Sequence, residues 1–489
     1  MQLMLRNRFR IALALLLVLS PVVALASEGW SEAEIRAILA DRVDRAKQSV
    51  GIVVGLIDEE RRIVIGLGRR SLDDETRPDG DTVFEIGSVT KVFTATLLAD
   101  MVRDGELSLQ DPVQKFLPES VRVPIRGEKP ITLYHLTTHT SGLPRMPDNF
   151  APADPSNPYA DYSVELMYEF LSGHELARDP GAQADYSNYG VGLLGHVLAL
   201  YAGTDYETLV RKRITAPLGM TDTTITLSEA QLERLAHGHD GNMTPVSNWD
   251  IPALAGAGAL RSTVNDMLKF VAANLGLVDS ELSAALEDTH KAREDFGPGE
   301  TRIGLGWIII TKHDRTIHWH NGGTGGYHSF VGLDKEHRRG VVVLSNASPS
   351  IDDIGLHLLE PKFELADVEP AKTLTEIPDS PAGSALKRWL EATRSGDEET
   401  AKQHYEVSFA ESFKQAVPLD DYMGFRWQLR GMLQGATVEQ VIARGDHDLS
   451  AYVKSSGVWI GIHIQVTSGE THQIVGLLVQ PSDPPERPE

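Results

Sequence analysis

The chain is 489 residues long, more than one hydrophobic core usually organises, so two domains are the starting expectation. Its 69 acidic residues against 46 lysines and arginines give a net charge of −23, a field that repels phosphate backbones and argues against nucleic acid as a partner. It has no cysteine, which excludes disulfides, thiol catalysis, thiolate zinc sites and acylation of an N-terminal cysteine.

Arg6, Arg8 and Arg10 precede the apolar run IALALLLVL, and Ala24 and Ala26 supply the small residues of a cleavage site. Residues 1–26 therefore read as a signal peptide cut after Ala26. Nine apolar residues are too few for a permanent anchor, so the mature protein is expected in the periplasm or outside the cell, with no membrane attachment. SVGIVVGLIDEERRIVIGLG, 49 to 68, reads as a hairpin of two β-rich runs around a charged turn. Helical and loop-rich sequence follows from about 88 to 300, and short β-branched strands return between 316 and 348. Early strands, a helical insertion and late strands predict an α+β domain over 27–365, with one antiparallel sheet built from both ends and flanked by helices.

Residues 366–382 lie in a proline-rich stretch without period and read as a linker. Beyond it, Leu386, Trp389 and Leu390 recur at helical spacing and Gly396 is placed to end that helix. A second helical run over 397–416 leads to four strands after 436, in one of which Ile460, Ile462, Ile464 and Val466 share a face. Residues 383–482 are thus a small α+β domain, and 483–489 a disordered tail. The pattern resembles the cone of nuclear-transport-factor-2-like domains. With no polar cluster that specifies chemistry, its expected role is structural, or pairing with a second copy.

In FEIGSVTKVFTATLLAD, 84 to 100, Ser88 and Lys91 lie three apart at the start of an apolar helix expected to end at Gly105. A partly desolvated lysine there can take a proton from the hydroxyl, and the helix N-terminus favours developing negative charge. Spacing alone is weak evidence, because Ser384 and Lys387 repeat it on an ordinary surface helix. A capping serine and a snorkelling lysine are the plainer reading. Downstream, Tyr186 and Asn188 flank a serine in DYSNYG, and His320 opens the glycine-rich HNGGTGG. His318 and His320 share a strand face, and HGHD at 237–240 adds two more histidines. A His/Asp zinc site, and with it a metallohydrolase, is the alternative there, although no His-Glu-x-x-His helix accompanies them.

Ser88-Val-Thr-Lys91, Tyr186-Ser-Asn188 and His320-Asn-Gly322, in that order, resemble the three motifs of serine β-lactamases and penicillin-binding proteins. The tyrosine points to the class C branch, which also holds D-alanyl-D-alanine carboxypeptidases and carboxylesterases. ITLYHLTTHTSGLP, PLGMTDT and AGALRSTVNDMLKF are similar to that branch too, and the likeness covers roughly 33 to 360.

The resemblance implies a cofactor-free hydrolase acting through an acyl-enzyme on an amide, peptide or ester bond. Ser88 would be the nucleophile and Lys91 its proton partner. Tyr186, where cations acidify its phenol, would be base and then acid. Asn188, His320 and Gly322 would bind and orient substrate, and the backbone N–H groups of Ser88 and Gly323 would form the oxyanion hole. His320 stands where many members have lysine, which weakens the anchor for a substrate carboxylate. A silent binding protein on the same scaffold is the remaining alternative. The pocket walls are expected from the loops at 145–165 and 285–300.

Overall fold

The structure is a computed structural model describing residues 29–482, except 298, 456 and 470, together with residue 484. The expected signal peptide lies outside the described residues, as does the expected tail apart from residue 484.

The hairpin forms where the sequence places it, as β1 (Gly51–Ile57) and β2 (Arg62–Gly68). Ile52, Val53, Val54 and Leu56 are all fully buried, so β1 is covered on both faces, which is why its sequence is continuously apolar. Its second neighbour comes from the far end of the domain, where β6 (Arg315–Gly323), β7 (His328–Asp334) and β8 (Arg339–Ser345) form a meander. The β1–β8 pairing, with Ile52 opposite Ser345, closes the sheet.

Three strands ahead of the meander extend it: β3 (Glu294–Asp295), β4 (Thr301–Ile303) and β5 (Ile308–Lys312). The antiparallel sheet runs β2-β1-β8-β7-β6-β5-β4-β3, so strand structure starts earlier than the sequence pattern shows. Two of these strands, with two and three residues, are too short to display alternation.

On one face pack α1 (Glu32–Ala40) and α5 (Asp352–Leu359). On the other lie α2 (Thr90–Arg103), α3 (Asn188–Ala202) and α4 (Val264–Asn274). Helix α2 is central, with Phe93, Leu97 and Met101 fully buried. Its buried hydroxyls are satisfied, as Thr94 Oγ1 donates to Gly256 O at 2.7 Å and Thr96 Oγ1 to Val92 O at 2.7 Å. The chain leaves α2 through Gly105 at φ +74°, a left-handed exit suited to glycine.

The matter beyond the first sheet has its own core, built on Trp389, Tyr405, Phe409, Tyr422 and Ile462. The expected meander is present as β10 (Thr437–Ala443), β11 (Asp448–Ser455), β12 (Val458–Val466) and β13 (Ile474–Ser482). A fifth strand, β9 (Lys372–Leu374), comes from the stretch read as linker and pairs with β10 along one edge. The helical part is also richer than its sequence suggests. After α6 (Pro381–Arg394), the 397–416 run divides into α7 (Glu398–Ser408) and α8 (Glu411–Ala416). A further helix, α9 (Leu419–Leu433), then precedes the meander. Its apolar stripe is masked by Gly424, Gly431 and the buried Arg426, whose guanidinium donates to Ala392 O at 3.0 Å and to Ser395 O at 2.6 Å, near the end of α6.

Gly55 of β1 lets α4 approach closely, since a Cβ there would lie 2.5 Å from Val264 Cγ1 and 2.9 Å from Leu268 Cδ1. Gly55→Val is expected to lower unfolding free energy by about 1–3 kcal/mol through overpacking, read from urea denaturation midpoints.

Candidate active site

Ser88 sits in a 3-10 turn, Gly87–Val89, that leads directly into α2. The turn requires glycine at 87, where φ is +46° and a Cβ would lie 2.9 Å from both N and O of Gly323. Residues 315–319 of β6 pair with β5, but 320–323 run past the end of that pairing and lie alongside the turn. Contact is close: a Cβ on Gly322 would be 2.0 Å from Ile86 O and 2.8 Å from Ser88 N. The backbone N–H groups of Ser88 and Gly323 therefore belong to one narrow place, bounded by glycines.

Lys91, the second residue of α2, is 1 % exposed. Its Nζ lies 2.9 Å from Ser88 Oγ, 2.9 Å from Asn188 Oδ1 and 2.7 Å from Ala257 O. No carboxylate is among these partners. Burial, reinforced by the Arg145 guanidinium, holds the Lys91 pKa well below the usual lysine range, because the ammonium is the form that burial and a second cation penalise.

Asn188 opens α3, whose N-cap is Ser187: its Oγ accepts from Gly190 N at 2.8 Å. The cap is thus the serine between the two singled-out residues. The ring of Tyr186, just before it, has Lys91 Nζ 4.9 Å and Arg145 Cζ 5.1 Å from its centroid. His139 stacks on the same ring at 4.6 Å. Burial outweighs these cations and pushes the phenol up to about 12, while the hydrogen bond with Ser88 and the charge of Arg145 pull it down. Tyr186 therefore keeps its proton at neutral pH, and the condition on which it would serve first as a base, a phenol acidified by cations, is not met.

His320 is 1 % exposed, and its ring centroid lies 6.2 Å from that of Tyr186. Its Nδ1 lies 2.6 Å from Asn321 O and donates to it, which leaves the lone pair on Nε2, an atom with no protein partner. Burial and the nearby Lys91 push this imidazole down to about 3, so it is neutral throughout the physiological range. The structure thus brings Ser88, Lys91, Tyr186, Asn188, His320, Gly322 and Gly323 together. His318 shares the strand face but turns to His290 O at 3.1 Å. His237 is exposed and His239 buried against Asn346 O at 3.0 Å, so they form no ligand pair. Among the described residues no group of three His, Asp or Glu side chains is placed to hold a metal.

Several contributors escaped the sequence reading. His139, at φ +59°, accepts from Ser187 N at 3.1 Å and backs Tyr186, and Arg145 O accepts from Asn188 N at 3.1 Å. Both lie in HTSGLPR, a phrase that carries the family likeness but names no chemistry. Ala257 supplies only a carbonyl, which no side-chain pattern reveals. The cleft over Ser88 is narrow, about 30 Å³, and is walled by Tyr159, Trp249 and Ile251. Tyr159 comes from the expected 145–165 loop. Trp249 and Ile251 come from a segment not anticipated, while Phe296, from 285–300, stacks on His139 at 5.8 Å and does not line the cleft.

Comparison with known proteins agrees with this geometry. The chain belongs to the beta-lactamase family, whose profile matches residues 35–358. It is 32% identical over 323 residues to the D-alanyl-D-alanine-carboxypeptidase/endopeptidase AmpH of Escherichia coli K12, covering 63% of this chain and 83% of that protein. A Pseudomonas fluorescens beta-lactamase is 27% identical over 351 residues, covering 64% and 94%. Among solved structures, a beta-lactamase/D-alanine carboxypeptidase from Yersinia pestis superposes with a TM-score of 0.58 at 28% identity, over 68% of this chain and all of that one. The protein is accordingly a serine hydrolase that acts by acyl transfer.

Because Gly322 has no room for a side chain, Gly322→Ala is expected to displace β6 from the Ser88 turn. Covalent labelling of Ser88 by a fluorophosphonate should slow by about a hundredfold, a size typical of ångström-scale misplacement, while far-UV circular dichroism stays unchanged.

Proposed function

We propose that this is an exported hydrolase in which Ser88 forms a covalent acyl-enzyme with a peptide, amide or ester substrate. The observation that carries the reading is the placement of Lys91 Nζ among three oxygens with no anion beside it. A neutral amine has two N–H donors and one lone pair. Ala257 O and Asn188 Oδ1 can only accept, so they engage both donors and the lone pair is left facing Ser88 Oγ. Lys91 then takes the hydroxyl proton as the oxygen attacks the carbonyl, and the N–H groups of Ser88 and Gly323 receive the negative charge that develops. Tyr186 gives its phenolic proton to the departing amine or alcohol and regains one from the Lys91 ammonium. Water entering in place of the leaving group repeats the sequence in reverse and frees Ser88.

The neutral His320 gives little Coulombic hold on a substrate carboxylate, which favours peptide, amide or ester turnover over rapid penicillin destruction. The related proteins named above support a carboxypeptidase-like or lactamase-like bond class. Export rests on the leader at 1–26, and among the described residues no helix is long and apolar enough to cross a membrane.

Two measurements test this reading. Intact-mass spectra after fluorophosphonate or penicillin treatment should show one adduct on the wild type and none on Ser88→Ala; an unlabelled wild type under conditions that label a control lactamase would refute it. The kcat/KM profile should rise with pH along an acidic limb as Lys91 loses its proton below the usual lysine range, and not fall again until Tyr186 titrates near 12. Arg145→Ala removes a cation that disfavours the ammonium, so it raises the Lys91 pKa and moves that limb to higher pH. An unmoved limb would exclude Lys91 as the titrating base.

A further inference from the structure

The segment that the sequence offered as a zinc motif makes a different contact. Residues 238–246 form a tight hairpin, with Val246 N donating to Gly238 O at 2.9 Å and Asp240 N to Thr244 O at 2.9 Å. Asp240 Oδ1 folds the tip by accepting from Asn242 N at 2.7 Å and Thr244 N at 2.9 Å. That tip meets the C-terminal sheet. Arg444, between β10 and β11, donates to Gly241 O at 2.5 Å and to Asn242 Oδ1, and Asn242 Nδ2 donates to the hydroxyl of Tyr452 on β11. Tyr452 is 8 % exposed, and Asn242 and Arg444 are half-buried against it.

The other side of the hairpin lies on the turn between β6 and β7, which follows Gly323. A Cβ on Gly326 would be 2.6 Å from Gly238 Cα and 2.6 Å from Val246 Cγ2, so hairpin and turn have no slack between them. The outgoing leg enters the site itself. Asn248 Nδ2 and Trp249 N both donate to Glu85 Oε1, at 2.9 and 3.0 Å, three residues before Ser88. The Trp249 ring then walls the cleft and packs over Gly325, where a Cβ would be 2.8 Å from its Nε1.

We propose that the C-terminal domain buttresses the active site: Arg444 and Tyr452 press the 238–246 hairpin onto the β6–β7 turn and so hold the Gly323 N–H and the Trp249 wall in place. The hairpin cannot do this alone. Its tip is Asp240-Gly241-Asn242-Met243, with Met243 at φ +64°, and it has few apolar side chains to anchor it. An oxyanion donor is useful only if it is held before the charge develops, and that demands a rigid supporting shell. Arg444 and Tyr452 are thus positioning residues acting through the hairpin, and the second domain is part of the enzyme.

The inference rests on Ser88 being the nucleophile, and its test separates the two. Full-length wild type, Arg444→Ala, Arg444→Lys, Tyr452→Phe and the Arg444→Ala/Tyr452→Phe double variant are compared by hydrogen exchange over 238–250 and 323–327, and by the rate of fluorophosphonate addition to Ser88. In the double variant both segments should exchange faster and labelling should slow about three- to thirtyfold. The acidic limb of the pH profile should stay where it is, and Arg444→Lys should recover part of the loss. Tyr452→Phe, which removes one hydroxyl, gives the same comparison in a mild form should the arginine variant fold poorly. Unchanged exchange at 323–327 with wild-type labelling in the double variant overturns the buttress. A wild type that does not label overturns the nucleophile, and exchange at 323–327 then decides the buttress.

Discussion

Everything in the catalytic half is arranged around one expensive act, the burial of the Lys91 amine without a carboxylate. A buried ammonium normally demands an anion, and its absence shifts the group toward its neutral form. Here the compensation is three oxygens from three separate parts of the chain: the turn before α2, the start of α3, and the backbone at Ala257. Those three can meet only if α2 runs through the middle of the fold, which is why this helix is buried nearly all round and why Thr94 and Thr96 bond to neighbouring carbonyls.

The electrostatics of the neighbouring groups follow from that burial. His320 and His139 are kept neutral by desolvation, with the Lys91 charge adding to the effect. Tyr186 is kept protonated for the same reason. In the resting enzyme the depressed lysine is thus the group suited to accept a proton and the tyrosine the group suited to donate one. Arg145, which is exposed and lies over the Tyr186 ring, is the permanent cation of the cluster and tilts both partners the same way. The proposed mechanism uses this division by environment, as pairs of titratable groups in catalytic clefts do.

Much of this was legible beforehand, and what was missed shares a cause. Ser88, Lys91, Tyr186, Asn188, His320, Gly322 and Gly323 carry their chemistry in side chains or in glycine, and the structure brings them together around the Ser88 turn. Ala257 contributes a carbonyl, Gly87 a left-handed turn, and Trp249 a wall set by a loop, none of which leaves a periodic trace. Strand β9 and helix α9 were missed for a related reason: the first is three residues long at an edge, and the second interrupts its apolar stripe with glycines and the buried Arg426. Tertiary packing supplied what local propensity lacked. HGHD shows the converse, a pattern suggestive of metal whose histidines diverge and whose loop joins two domains.

By itself the sequence determined the family, the α+β class, the hairpin that starts the sheet and which side chains the candidate site would hold, because each depends on residue type and order along the chain. Only the tertiary structure decided which protonation states those side chains hold, since a pKa is set by what surrounds a group in space rather than in sequence. The tertiary structure likewise placed the 238–246 hairpin between the two domains. Residues 241 and 444 lie far apart in the chain, and no local pattern could have shown that they touch.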